Sequence, residues 1–209
     1  MKDITFMITE NTEPVNALEI IKLFVNRLEE DLYSWKWIII AAHNCTQSFM
    51  VSALRSGTNL NVLENQSANN WFNEFTKRMK AKVEDWKSPR EKLDYFMSLY
   101  KKIKSDRMLF LTVSKKLDGD ENKDEAMKWL HYHRNMFIHF VPSTFEMNVI
   151  HFPKRMLIIM EIIKFLVSES GNILWLNTED KEISVALINE LIERFKDLNN
   201  NYTSNKTST

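Results

Sequence analysis

The sequence predicts an all-α protein, and three observations predict it. Glycine and proline are scarce, three and four in 209 residues, which leaves few turn formers for a β-rich fold. Apolar residues recur at spacings of three and four along most of the chain, the period of one helix face. Capping residues and stop signals bracket those runs.

The first run opens at Thr12, with Glu13 and Pro14 in its first turn, and carries Leu18, Ile21, Val25, Leu28 and Leu32. Trp35, Ile39, Ala42, Thr46, Phe49 and Ala53 continue the pattern to RSGTN (55–59), where Gly57 suits a left-handed stop. These are two helices, or one helix bent near Ser34. Asn70 is placed to cap a third run of Trp71, Phe72, Phe75, Met79 and Val83. Ser88, Pro89 and Glu91 read as a capping box ahead of Leu93, Phe96, Met97, Tyr100 and Ile103. After the acidic turn LDGDENKD (117–124), Asn122 and Glu125 are placed to open a helix bearing HYHRNMFIHF (131–140). Pro142 ends it by Val141, because the residue before a proline is driven out of helical geometry. Residues 144–150 alternate as a short extended segment would. Pro153 opens an apolar helix through Met156, Ile159, Ile163 and Leu166 that stops at Gly171, and Ile183, Leu187, Leu191 and Phe195 mark the last. The expectation is one helical domain over residues 1–198, followed by a polar tail, 199–209, too poor in apolar groups to order itself.

Hydrophobic residues make up 44 % of the chain and charged residues 27 %, an ordinary globular composition. A single cysteine, Cys45, excludes an intramolecular disulfide and fits a reducing compartment. No basic-then-apolar leader opens the chain, and the most apolar run, Trp35 to Ala42, is too short to span a bilayer. The expectation is a cytoplasmic protein without a membrane partner. Net charge is zero, yet residues 77–116 hold thirteen Lys/Arg against five Asp/Glu. A solvated helix face is the ordinary reading of such a run. The functional reading is a surface for an anionic ligand such as an RNA backbone, with Lys77, Arg78, Lys80 and Lys82 as the contacts.

The stretch 131–140 concentrates the polar chemistry. His131, Asn135 and His139 are spaced i, i+4 and i+8, one stripe of a helix, with Arg134 on its flank and His133 turned away. Leu130, Met136, Phe137 and Phe140 supply the packing surface. Unpaired burial of such a stripe costs several kcal/mol. Its members therefore pair with one another, face a cleft or meet another chain. A structural reading makes them satisfied core or surface groups. A metal site from His131, His133 and His139 lacks a cysteine or a well-spaced carboxylate, so no metal or other cofactor is expected. The third reading is acid–base chemistry on a phosphate, where a histidine moves protons and a guanidinium grips non-bridging oxygens.

RNMFIH (134–139) resembles the Arg-x4–6-His signature of the HEPN superfamily, with Asn135 as the polar residue after the arginine. RNMFIHFVPSTF (134–145) is similar to the "RNxFIHFxPxxW/F" form of a group of bacterial HEPN-like proteins, although Ser143 and Thr144 displace the final aromatic to Phe145. AAHNCTQSFMVSALRSGTNLNVL (41–63) looks like that group's earlier histidine- and glutamine-bearing helix. The likeness covers roughly residues 15–170.

The resemblance implies an up-and-down bundle of four to five core helices with additional helices, commonly a homodimer. It also implies metal-independent RNA cleavage at a composite site where two Arg/His motifs meet. Arg134 would stabilise the phosphorane, His139 would act as base or acid, and Asn135 would orient a phosphate oxygen or the histidine. His131 is a candidate helper outside the family motif. His43 and Gln47 either face the same cleft or hydrogen-bond in the core. Many members serve in toxin–antitoxin or phage-defence systems, which would add an antitoxin or defence partner. The alternative is a non-catalytic HEPN-like module for dimerisation and for binding a nucleotide, RNA or protein.

Overall fold

In the computed structural model the described residues are 4–81, 88–139, 144 and 146–204. They form an all-α bundle of seven α-helices: α1 (Thr12–Val25), α2 (Ser34–Leu54), α3 (Asn65–Ala81), α4 (Phe96–Ile103), α5 (Glu121–Ile138), α6 (Phe152–Lys164) and α7 (Thr178–Ser204). No strand occurs among the described residues, and none of their helices is long and apolar enough to cross a membrane. The all-α expectation holds. Lys82, Val83, Phe140, Val141, Pro142, Ser143 and Phe145 lie outside the described residues.

α2 is the hub. It packs against α1, α6, α5 and α4, while α1 meets α7, α7 meets α6, α6 meets α5 and α5 meets α4. Every α2 position picked from periodicity is buried: Trp35, Ile39, Ala42, Thr46, Phe49 and Ala53. Trp35 pins three helices at one point. Its indole meets Phe152 of α6 edge-on at 5.4 Å and lies near-parallel to Phe195 of α7 at 6.2 Å. Gly57 (φ +74°) and Gly171 (φ +72°) take the left-handed conformation expected of chain stops.

Several starts differ from the sequence reading. α1 and α2 are separate helices joined through turns at residues 26–33, the first of the two alternatives, while the following starts are displaced. Thr9, not Thr12, covers the first turn of α1, its Oγ1 accepting from the Thr12 and Asn11 amides at 3.1 and 3.3 Å. α3 begins at Asn65, so Asn70 lies inside it, and its Phe72, Phe75 and Met79 are exposed. α5 is capped by Asp120, whose Oδ1 accepts from the Lys123 amide at 2.8 Å, two residues ahead of the Asn122 start.

The Ser88–Glu91 box starts no helix. The backbone there is already engaged: the Glu64 amide donates to the Lys92 carbonyl at 3.0 Å and the Asp94 amide to the Val62 carbonyl at 2.9 Å. Ser67 Oγ accepts from the Lys92 amide and donates to the Arg90 carbonyl, both at 3.1 Å. Long-range pairing outbids the local cap, and helix begins only at Phe96.

Residues 146–149 form no strand; Asn148 Oδ1 accepts from the Ile150 amide in a turn that leads into α6. At the other end α7 runs through Ser204, past the boundary placed at residue 198. Leu198 is buried, and the Tyr202 hydroxyl accepts from Trp35 Nε1 at 3.3 Å. Side chains one and two turns beyond Phe195 thus give the polar segment a reason to stay helical.

Candidate site on the inner face of α5

The polar stripe of α5 splits. His131 and Asn135 face inward toward α2, and His139 does not. His131 Nδ1 lies 3.1 Å from Nε2 of His43, which is buried in mid-α2. On its other side His131 Nε2 lies 3.1 Å from the Asn135 amide nitrogen, and Arg134 Nη1 donates to Asn135 Oδ1 at 3.0 Å. Four side chains from two helices therefore form one hydrogen-bonded chain: Arg134, Asn135, His131, His43.

Phe96, at the first position of α4, closes the inner end. Its ring stacks on His43 at 3.9 Å and 20°, and lies 5.4 Å from His131 at 4°. The helices bring this about through simple register: α2 and α5 pack on each other, and α4 packs on both. His43 was legible as a polar residue of an apolar helix. Phe96 was not, because a phenylalanine at helical spacing carries no mark distinguishing a site wall from core.

This setting opposes positive charge on the histidines. Burial, the Arg134 cation and then His131 hold the His43 imidazole at about 3, far below its ordinary value of 6.5. His131 is also lowered, by burial first and then by Arg134. His133 looks elsewhere, as its position off the stripe predicts. Its Nδ1 donates to the Trp129 carbonyl at 2.8 Å, its ring leans on Trp129 and Phe152, and burial lowers its pKa.

His139 sits at the end of α5, where the backbone leaves helical geometry (φ −101°, ψ 47°). Its side chain is exposed, and its ring makes no hydrogen bond to the described residues. Among the described residues the structure thus joins Arg134, Asn135 and His131 but not His139. Gln47 is half-buried and takes no part in the chain. No group of three or more His, Cys, Asp or Glu side chains that could hold a metal ion occurs among the described residues.

Five of the thirteen cations in the basic run are paired with carboxylates among the described residues. Lys77 pairs with Glu74, Lys92 with Glu64, Lys104 with Asp124 and Lys116 with Asp106. Lys102 is buried in a 2.7 Å ion pair with Asp94 and also donates to the Leu63 carbonyl at 2.8 Å. Lys77, Arg78 and Lys80 are exposed on α3, which packs on the turn at residues 59–61 rather than on α5; Lys82 lies outside the described residues.

The fold and site therefore define an all-α bundle with a partly buried, histidine-centred polar chain behind an arginine. Compared with protein-family models, curated proteins and solved structures, the chain gives no match.

Proposed function

We propose that this protein is a metal-independent endoribonuclease of HEPN type, acting as a homodimer in which two copies of the α5 motif form one site. His139 removes the proton from the 2′-hydroxyl, the resulting alkoxide oxygen attacks the adjacent phosphorus, and Arg134 stabilises the phosphorane oxygens. The bond to the 5′-oxygen breaks, and that oxygen takes a proton from the second copy's His139. The products are a 2′,3′-cyclic phosphate and a 5′-hydroxyl. The observation that carries this reading is the division of the motif: a guanidinium held by its neighbour on the helix, and an exposed histidine at the helix end. RNA is the substrate, and a role in toxin or phage-defence systems, with an antitoxin or defence protein as further partner, follows from the same resemblance.

The test is RNA cleavage in excess EDTA by the wild type, His139→Ala and Arg134→Ala, with the product ends identified. Cleavage that survives chelation, leaves cyclic phosphate ends and falls about 100-fold or more in both variants is the expected result. A second reading is favoured by the closure of the Arg134 chain onto buried groups: a non-catalytic HEPN-like module in which α5 serves dimerisation and nucleotide, RNA or protein binding. A folded dimer with no activity above the variants' background selects it.

A further inference from the structure

We infer that His43 and His131 are positioning residues whose task is to hold Asn135, and through it Arg134, in one fixed orientation. The inference rests on the reading that Arg134 meets the scissile phosphate. The donors and acceptors along the chain leave a single consistent order. A guanidinium has donors only, so the 3.0 Å contact from Arg134 Nη1 fixes Oδ1 as the Asn135 atom that faces it. The Asn135 Nδ2 group must then face His131 and donate to Nε2. Nε2 is thereby an acceptor and carries no proton. In a neutral imidazole the proton sits on the other nitrogen, so His131 Nδ1 donates to His43 Nε2. His43 in turn carries its proton on Nδ1. Every member has one role, and reversing any of them leaves two donors or two acceptors face to face.

Two consequences follow for the site. His131 has both ring nitrogens engaged, so it is not available to carry a proton to substrate, and the helper role suggested by its place on the stripe becomes one of alignment. His43, nine residues into α2, becomes part of a phosphate-binding device without approaching the phosphate itself. The Phe96 ring stacks on His43 and lies near-parallel to His131, and so links the start of α4 to the aim of Arg134. Preorganisation of this kind matters most in the transition state, where a misplaced donor costs rate rather than affinity.

The experiment uses the full chain with nitrogen-15 histidine. Long-range proton–nitrogen spectra near neutral pH are expected to show His43 and His131 both neutral and both protonated on Nδ1, the less populated tautomer of a free imidazole. Two variants carry the idea into activity. His43→Phe keeps the ring stack and removes the acceptor; it is expected to lower kcat about 10- to 100-fold with little change in KM. His43→Gln, whose amide oxygen can accept from His131, is expected to recover most of that loss. His131 protonated on Nε2, or a His43→Phe enzyme with wild-type kcat, overturns the proposal. If the wild type cleaves no RNA, the nuclease reading fails, but the spectra still decide the chain: in His43→Phe the Asn135 amide still donates to Nε2, so the His131 proton must stay on Nδ1. A His131 proton on Nε2 in that variant overturns the chain by itself.

Discussion

Acid should weaken this fold earlier than its carboxylates alone dictate, and His43 is the reason. In the folded protein its imidazole titrates at about 3, through burial first and then the charge of Arg134, against 6.5 in an unfolded chain. Above pH 6.5 neither state binds the proton and the group contributes no slope. As the pH falls below 6.5 the unfolded chain takes a proton that the folded one refuses, so stability falls by about 1.4 kcal/mol per pH unit. Down to about pH 5 this single residue removes about 2 kcal/mol, and down to its folded value about 5 kcal/mol. His131 and His133 are lowered too and add losses of the same sign. Asp106, Asp120 and Asp124 are lowered from 3.8 by their lysine partners, so their losses come at more acid pH and leave the window above about 5 to the histidines. Urea unfolding of the wild type and His43→Gln from neutral pH to about 5 is the assay. The wild type should lose about 2 kcal/mol more than the variant across that range. Parallel curves would show that His43 ionises freely in the fold, and the reasoning would fail.

The remaining predictions concern the frame around the site. Lys102→Met leaves Asp94 unpaired in an environment where both side chains are about one-tenth exposed, and should cost about 3–5 kcal/mol in urea unfolding. Gly171→Ala brings a Cβ within 2.8 Å of the Val113 carbonyl oxygen at a φ of +72°, while at Gly57 nothing lies within 4 Å. Both substitutions meet the left-handed cost of about 1–2 kcal/mol, and Gly171→Ala should exceed Gly57→Ala in thermal unfolding. Tyr202→Phe removes the acceptor from Trp35 Nε1 and should cost about 1 kcal/mol, read by chemical unfolding, with α7 near Ser204 exchanging its amides faster.

The fold was legible where one helix face alone decides burial. α2 is the clearest instance, since it is surrounded and every apolar position picked by period lands inside. Legibility failed where a local and a long-range demand compete for the same backbone. Ser88, Pro89 and Glu91 form a sound local start, yet the amides and carbonyls that would enter the helix are pairing with residues 62–67, and Glu91 accepts from Asn59 Nδ2 instead of folding back to Ser88. The extension of α7 beyond residue 198 is not legible in the sequence for a related reason: its stabilisation comes from Trp35, more than 160 positions away, and not from the composition of the segment.

The site shows the same boundary at finer scale. Period alone places His131, Asn135 and His139 on one stripe, and for the first two that placement is correct to the hydrogen bond. The stripe assumes helical geometry at every member, however, and α5 ends at Ile138. His139 has left the helical register and is exposed, whereas His131 and Asn135 are drawn inward by His43 and Phe96. This divergence bears on the proposed chemistry. A cation that must meet a phosphate in one orientation gains from rigid neighbours, and burial supplies them by keeping two imidazoles neutral. A base that must take up and release protons gains from exposure to solvent. One helix provides both because it ends between them.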